Sequence, residues 1–175
     1  MTTSRKLRLA ILFLVLGCTV GCDQTSKHIA RTELNRLGSV TLPGGFGELR
    51  LAENPGSFLS LGDSLPDLLR LALLTIGVGA GLVGLLAYLA RSSRLNWLCF
   101  MGLALAWAGG TSNLIDRITR QGLVTDFVFI RVGSLHTGVF NAADLLIVIG
   151  IAALFCDLWK RRRLAIRESR KGGHR

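Results

Sequence analysis

Metal and disulfide chemistry have little to work with in this chain. Its 175 residues include four cysteines and three histidines, and neither set has metal-ligand spacing. His28, His136 and His174 are scattered. No cysteine falls in the more polar segments beyond the boundary residue Cys22, so no disulfide framework is expected. Cys18, Cys22, Cys99 and Cys156 read as small apolar packing residues. There is no nucleophile elbow, no internal repeat and no low-complexity stretch apart from a basic C-terminal tail. Acids are few, 11 against 21 Lys and Arg, giving a net charge of +10. Collagen, coiled-coil and disordered classes are excluded by the pattern.

What is present is apolar. Half of the residues are hydrophobic, and the mean hydropathy is +0.46. The length suits about one domain, and a soluble domain rarely combines that hydropathy with so much charge. The excess charge sits at the ends, where Lys160, Arg161, Arg162, Arg163, Arg167, Arg170 and Lys171 follow an apolar run. A nucleic-acid role is therefore disfavoured, and a small membrane protein with basic tails is expected. Crossing the hydrocarbon takes about 20 mostly apolar residues. Four segments qualify, at about 7–30, 66–90, 95–112 and 139–159. Leu71–Leu89 and Leu145–Phe155 contain no charge at all. The 21 glycines, among them the Gly77-Val-Gly79-Ala-Gly81 run, suit close helix approach in lipid.

Charge sets the direction. The two tails and the turn at 91–94 hold 13 Lys and Arg with 2 acids; the rest holds 8 and 9. The positive-inside rule then puts both termini in the cytoplasm. The segments at about 31–65 and 113–138 lie on the opposite face, the periplasmic side of a bacterial inner membrane, and 160–175 is a cytoplasmic basic tail. The whole reads as one membrane domain. Val15-Leu16-Gly17-Cys18, after Arg5, Lys6 and Arg8, resembles a lipoprotein cleavage box. A lipoprotein precursor would leave the other three spans unexplained, so an uncleaved first span is expected. Ser39–Leu42 and Glu48–Glu53 alternate as strands around the turn Pro43-Gly44-Gly45, and Leu123–Val132 reads as another strand. A small sheet resting on the outer membrane surface follows.

The informative residues are polar ones at the span edges, where ionisable groups are costly and usually functional. A structural reading stands beside each. Asp23 and Lys27 are one helical turn apart and can neutralise one another, which would merely end the first span. Asn113 and Arg117, in Gly109-Gly-Thr-Ser-Asn113-Leu-Ile-Asp-Arg117, have the same spacing and could be helix capping with a snorkelling arginine. Asn141 is placed as the N-cap of the last span, with Asp144 at N3, where the helix dipole favours a carboxylate. Asp126 interrupts an apolar strand, an expensive position without a partner, unless the strand is a solvated edge. Asn54, in Glu53-Asn54-Pro55-Gly56-Ser57-Phe58, sits in a turn. Together, two acids beside one membrane face, with Asn and Arg nearby, suggest a site. Two close carboxylates share a proton; one serves as base on water while the other polarises a carbonyl. That is aspartic-protease chemistry.

In order along the chain, Asp23-Gln-Thr-Ser-Lys27, Asn54-Pro-Gly56, Gly109–Arg117, Val124-Thr-Asp126-Phe127 and Phe140-Asn141-Ala-Ala-Asp144 resemble the motifs of the lipoprotein signal peptidases, the type II signal peptidase family. The resemblance covers roughly 7–160. It implies four transmembrane helices, a small periplasmic β-structure and no cofactor or metal. The implied activity is intramembrane aspartic endopeptidase cleavage of prolipoproteins, just before the diacylglyceryl-modified cysteine. The catalytic pair falls on Asp126 and Asp144. Asn54, Gly56 and Arg117 fall on substrate binding, and Asp23, Lys27, Asn113 and Asn141 on support. The expected partners are the lipidated precursor and membrane lipids, and the chain is expected to act as a monomer. The chain departs from the pattern in Pro55 and in its basic tail. The alternatives are an inactive paralogue that only binds lipoprotein precursors, a small transporter subunit with proton-carrying acids, and a serine hydrolase using Ser112 or Ser134 with His136.

Overall fold

The computed structural model describes residues 5–56, 66–92 and 95–172. Ser57 and Phe58 of the Asn54 segment, and Arg94 of the turn at 91–94, lie outside the described residues. Four helices are long and apolar enough to cross a membrane. The first is α1 (Arg5–Leu37). The second begins as α2 (Asp67–Leu71), passes through a π-helical turn at Ala72–Gly77 and continues as α3 (Val78–Arg91). The third and fourth are α4 (Trp97–Thr119) and α5 (Ala142–Gly172). Phe13, Leu14, Ile76, Val83, Phe155 and Leu158 are all more than half exposed. A protein in water would bury such side chains; in a bilayer they are the lipid-facing surface.

Helix α4 is the centre of the bundle. Of its apolar window 44% is buried, against 17% for α1 and α5 and none for the second span. Leu12, Leu89, Phe100, Ala104, Trp107 and Ala108 form the apolar core, and Trp107 Nε1 donates to Leu82 O at 3.1 Å. Lipid supplies no hydrophobic drive between helices, so close backbone approach must hold them. The contact of α4 with α5 shows this. A Cβ built on Gly102 would lie 2.8 Å from Gly150 O, and one on Gly109 would lie 2.6 Å from Ala143 O. A Cβ on Gly150 would collide with Gly102 O.

Two packing expectations are corrected. Of the Gly77–Gly81 run only Gly79 meets a neighbour, Leu114; Gly77 and Gly81 face open space among the described residues. The second span is peripheral, so its small face has no helix to receive. Cys18, Cys22 and Cys156 are exposed rather than packed inside, and Cys99 is half-buried. A thiol is apolar enough to face lipid as readily as a core.

At one end of the bundle the connections build a four-stranded antiparallel sheet in the order β1 (Ser39–Thr41), β2 (Gly47–Asn54), β3 (Val124–Val132) and β4 (Leu135–His136). The expected strands and the turn at Pro43–Gly45 are present. The two-residue β4 was not legible beforehand. The register places Ala52 opposite Asp126 and Asn54 opposite Val124, so Asn54 is the diagonal neighbour of Asp126 on one face. Phe140 bonds the other edge of β3, donating to Val128 O and accepting from Val128 N, both at 2.9 Å. That bridge carries the chain into α5 directly beside Asp126.

Candidate active site

Three polar groups are brought together where α1, α4 and α5 meet the sheet. In α1 the buried stripe Leu12, Thr19, Asp23, Lys27, Ala30 and Leu34 follows helical spacing, so Asp23 and Lys27 face inward. In α4, Ser112 and Asp116 are one turn apart on the side facing α1. Asn113 and Arg117 are the next such pair, and Asn113 reaches α5.

The first group is a saturated ion cluster. Lys27 Nζ lies 2.7 Å from Asp23 Oδ2, 3.0 Å from Asp116 Oδ2 and 2.8 Å from Asn113 Oδ1. An ammonium has three N–H donors, and here each has an acceptor. Asp23 also accepts from Ser112 Oγ at 2.7 Å and from the Ala143 N–H at 2.9 Å. Asp116 accepts from Gln24 Nε2 at 3.0 Å and from the Thr125 N–H at 3.2 Å. A buried charge left without such partners would be strongly destabilising. The cluster thereby ties α1, α4, β3 and the first turn of α5 to one another.

The second group surrounds Asp144. Asn141 Oδ1 accepts from the Asp144 N–H at 2.9 Å, while Asp144 Oδ2 accepts from the Asn141 N–H at 3.1 Å. This is a reciprocal cap, with the carboxylate at the positive end of the α5 dipole. The expected N-cap and N3 placement is present. Asp144 Oδ1 accepts from Asn113 Nδ2 at 2.8 Å. The side chain is half-buried, more open than Asp126.

The third group surrounds Asp126, which is 1% exposed on an interior strand, not a solvated edge. Its Oδ1 accepts from Asn141 Nδ2 at 2.6 Å and its Oδ2 from Asn54 Nδ2 at 2.9 Å. Burial, assisted by the charge of Asp144, pushes its carboxyl up to about 6; the two amides and the Lys27 ammonium pull the other way. The groups join through amides, since Asn141 Nδ2 also lies 3.2 Å from Asn113 Oδ1. Asn113 and Asn141 therefore connect Lys27, Asp144 and Asp126.

Two loop features complete the mouth. The Gly56 N–H bonds Asn54 Oδ1 at 2.8 Å, a local turn that leaves the Asn54 amide nitrogen to Asp126. Gly56 has φ 103°, and a Cβ there would collide with Leu74, so only glycine fits. Such a Cβ would stand 3.9 Å from Arg117 Nη2. Arg117 Nε is buried without a partner among the described residues, and the guanidinium lies in the field of Asp144, Asp126 and Asp116.

All nine residues singled out from the sequence converge here. Ser112 and His136 are not brought together: Ser112 is buried on Asp23, whereas His136 is exposed on β4 beside Phe129. Sequence reasoning missed Gln24, Asp116 and Thr125 as members. Asp116 carried a signal, an acid at a span edge beside Arg117, of the kind that singled out Asp23. Gln24 and Thr125 carried none. A second layer was also missed: Arg31 donates to Thr125 Oγ1 at 2.9 Å, and Arg120 pairs with Glu53 at 2.6 Å.

Comparison with known proteins gives a consistent result. The family model for signal peptidase (SPase) II matches residues 15–160. The lipoprotein signal peptidase of Solibacter usitatus is 32% identical over 82% of this chain and 87% of its own length. That of Syntrophus aciditrophicus is 32% identical over 87% of this chain and 95% of its own. A bacterial membrane enzyme solved at 2.3 Å by the in meso method has the same fold, with a TM-score of 0.74. It is 22% identical, covering 86% of this chain and 88% of that one.

Proposed function

Because the chain belongs to the signal peptidase II family, we propose that its aspartic endopeptidase activity removes signal peptides from lipid-modified prolipoproteins through Asp126 and Asp144. The observation that carries the reading is the shared wiring of these two acids. Asn141 bonds Asp126 and caps Asp144, and Asn113 bonds both Asn141 and Asp144. No other pair of carboxylates among the described residues combines such linkage with a place at the mouth of the site. Asp23 and Asp116 are saturated by Lys27 and serve as support.

Asp144 takes the part of the base in this reading, because it stands half-buried at the start of α5, where the Asn141 N–H and Asn113 Nδ2 fix its carboxylate in place. Asp126, whose burial favours the neutral form, holds the shared proton. Asp144 takes a proton from a water as the water oxygen attacks the scissile carbonyl carbon. Asp126 gives its proton to the carbonyl oxygen. The resulting tetrahedral adduct collapses with cleavage of the C–N bond: Asp144 gives its proton to the leaving amine of the lipidated cysteine, and Asp126 takes back the proton of one hydroxyl as the carbonyl re-forms, which restores the dyad. Asn54 and Arg117 donate hydrogen bonds to the substrate backbone, and Gly56 leaves space for it. The substrate's acyl chains remain in lipid. We place the sheet end on the periplasmic side of a bacterial inner membrane, with both termini in the cytoplasm and the enzyme acting as a monomer; the basic tails support that orientation.

The test is cleavage of a purified prolipoprotein in detergent, with and without its diacylglyceryl group. Asp126→Asn and Asp144→Asn are each expected to lower kcat by at least about 10²-fold, the scale of a lost general acid or base. Wild type is expected to cut only the lipidated form. Persistent cleavage by both variants would remove the dyad, and a folded but inactive wild type would return the binding-only paralogue.

A further inference from the structure

The opposite end of the bundle carries polar groups that proteolysis does not use. Arg5 and Arg8, at the start of α1, lean over the end of α3. Arg5 Nε donates to Ala90 O at 3.1 Å. Arg8 donates through Nη1 to Ser92 O at 3.2 Å and through Nη2 to Leu95 O at 2.7 Å, and its guanidinium stands 5.3 Å above the Phe100 ring. Capping helix C-terminal carbonyls is ordinary work for arginine, and it accounts for the bonds to Ala90 and Ser92, while the bond to Leu95 O holds the connection that leads into α4. A guanidinium has five N–H donors, and most of those present remain. Arg8 Nε is buried without a partner among the described residues.

These side chains line a cavity of about 60 Å³ between α1 and α3. Arg5, Arg8 and Arg91 border it with Ser92, and Leu9 and Leu89 form its apolar side. Among the described residues no carboxylate pairs with any of the three arginines. The nearest ionic pairing at this end, Asp157 with Arg161, belongs to α5. Three cations with no carboxylate partner among the described residues make the cavity attractive to an anion, and Arg5 and Arg91, both exposed, can turn their remaining N–H groups toward it. The volume is about twice a water's share of the liquid (~30 Å³), room for one tetrahedral oxyanion and little more. Leu89, 2% exposed, closes its inner side, and half-buried Leu9 gives its mouth an apolar edge, so the anion can belong to a molecule with acyl chains. Basic pockets between membrane helices characteristically hold anionic head groups.

We propose that this cavity binds the phosphodiester of an anionic membrane phospholipid, with Arg5, Arg8 and Arg91 as donors and the acyl chains running past Leu9. The site lies at the far end of the bundle from Asp126 and Asp144 and does not depend on them.

The full-length chain, purified in detergent and stripped of lipid, would be titrated with phosphatidylglycerol, phosphatidylcholine and sodium phosphate, bound lipid being counted by native mass spectrometry. The double variant Arg5→Gln, Arg91→Gln spares the bonds of Arg8. It is compared with Arg162→Gln, Arg163→Gln, which removes equal charge from the exposed tail. Each interfacial arginine contributes about fivefold in lipid affinity, so the cavity variant is expected to bind phosphatidylglycerol about thirtyfold more weakly than wild type. The tail variant is expected to bind as wild type does. Should the double variant fail to fold, Arg91→Gln alone, with an expected loss of about fivefold, carries the test. Equal affinity for phosphatidylcholine, or equal losses in cavity and tail variants, would overturn the site. Binding of free phosphate as tight as that of phosphatidylglycerol would overturn the lipid as its occupant.

Discussion

Asp126 is subject to opposing influences, and their balance makes a kinetic prediction. Burial and the neighbouring charge of Asp144 favour the neutral carboxyl, while Asn54, Asn141 and Lys27 favour the ionised one. Burial prevails, moving the group from an ordinary 3.8 to about 6. In the proposed mechanism Asp126 must hold a proton when substrate arrives. It does so below that value and loses the proton as pH rises through it, so kcat/KM should fall along an alkaline limb in that region. Asn54→Leu removes a donor that stabilises the charged form. The proton is then held more tightly, and the limb should move to higher pH by about one pH unit. A profile of kcat/KM between pH 4.5 and 9 measures this, independently of the loss in absolute rate expected from weaker substrate binding. A limb that stays put, or moves to lower pH, would show that Asp126 is not the proton carrier. An infrared titration finding Asp144 to be the protonated member would reverse the two roles.

At the scale of elements, the legible features were those encoded within one turn or one hairpin. The cap joining Asn141 to Asp144 spans three residues, the Asp23–Lys27 pair four, and the turn between β1 and β2 announces itself by Pro43 and two glycines. The third partner of Lys27 was not legible, because Asp116 lies on a different helix and no local period points to it. Helix packing was legible only in kind. Glycine abundance implied close approach, but the approach occurs at Gly102 and Gly150, between α4 and α5, not along the richer run in the second span. Which face a glycine turns inward is decided by the neighbouring helix. Gly150→Ala places a methyl group against the Gly102 carbonyl and is expected to destabilise by about 1–3 kcal/mol, the usual scale of overpacking. Gly84→Ala meets nothing among the described residues and is expected to be neutral or to stabilise by up to about 1 kcal/mol, since alanine is the better helix residue. Thermal unfolding in one detergent, followed by tryptophan fluorescence, compares the two. If Gly84→Ala proves the more damaging, the outward face of α3 is not the open surface described.

On the scale of the whole molecule, charge and length make a statement that no single residue makes. A helix as long as α5, 31 residues, extends about 46 Å, well past a hydrocarbon core of about 30 Å. Its far end carries Lys160, Arg161, Arg162 and Arg163, so the excess length emerges as a basic projection on the side where α1 begins with Arg5, Lys6 and Arg8. The sheet, at the other end of the bundle, carries a nearly balanced set of charges. An even number of spans puts both termini on one side, and the proposed orientation takes that side as the cytoplasm, in line with the arginine bias. The prediction is directional. A cysteine placed at Ser134, in the exposed turn between β3 and β4, should react with an impermeant maleimide added to intact spheroplasts. One placed at Ala165, exposed on the projecting end of α5, should react only after the membrane is opened. The native thiols face lipid or the bundle, so wild type should label weakly under both conditions. The reverse pattern would invert the protein in the membrane. It would put the dyad on the face of the bilayer opposite to the one where the proposed cleavage takes place.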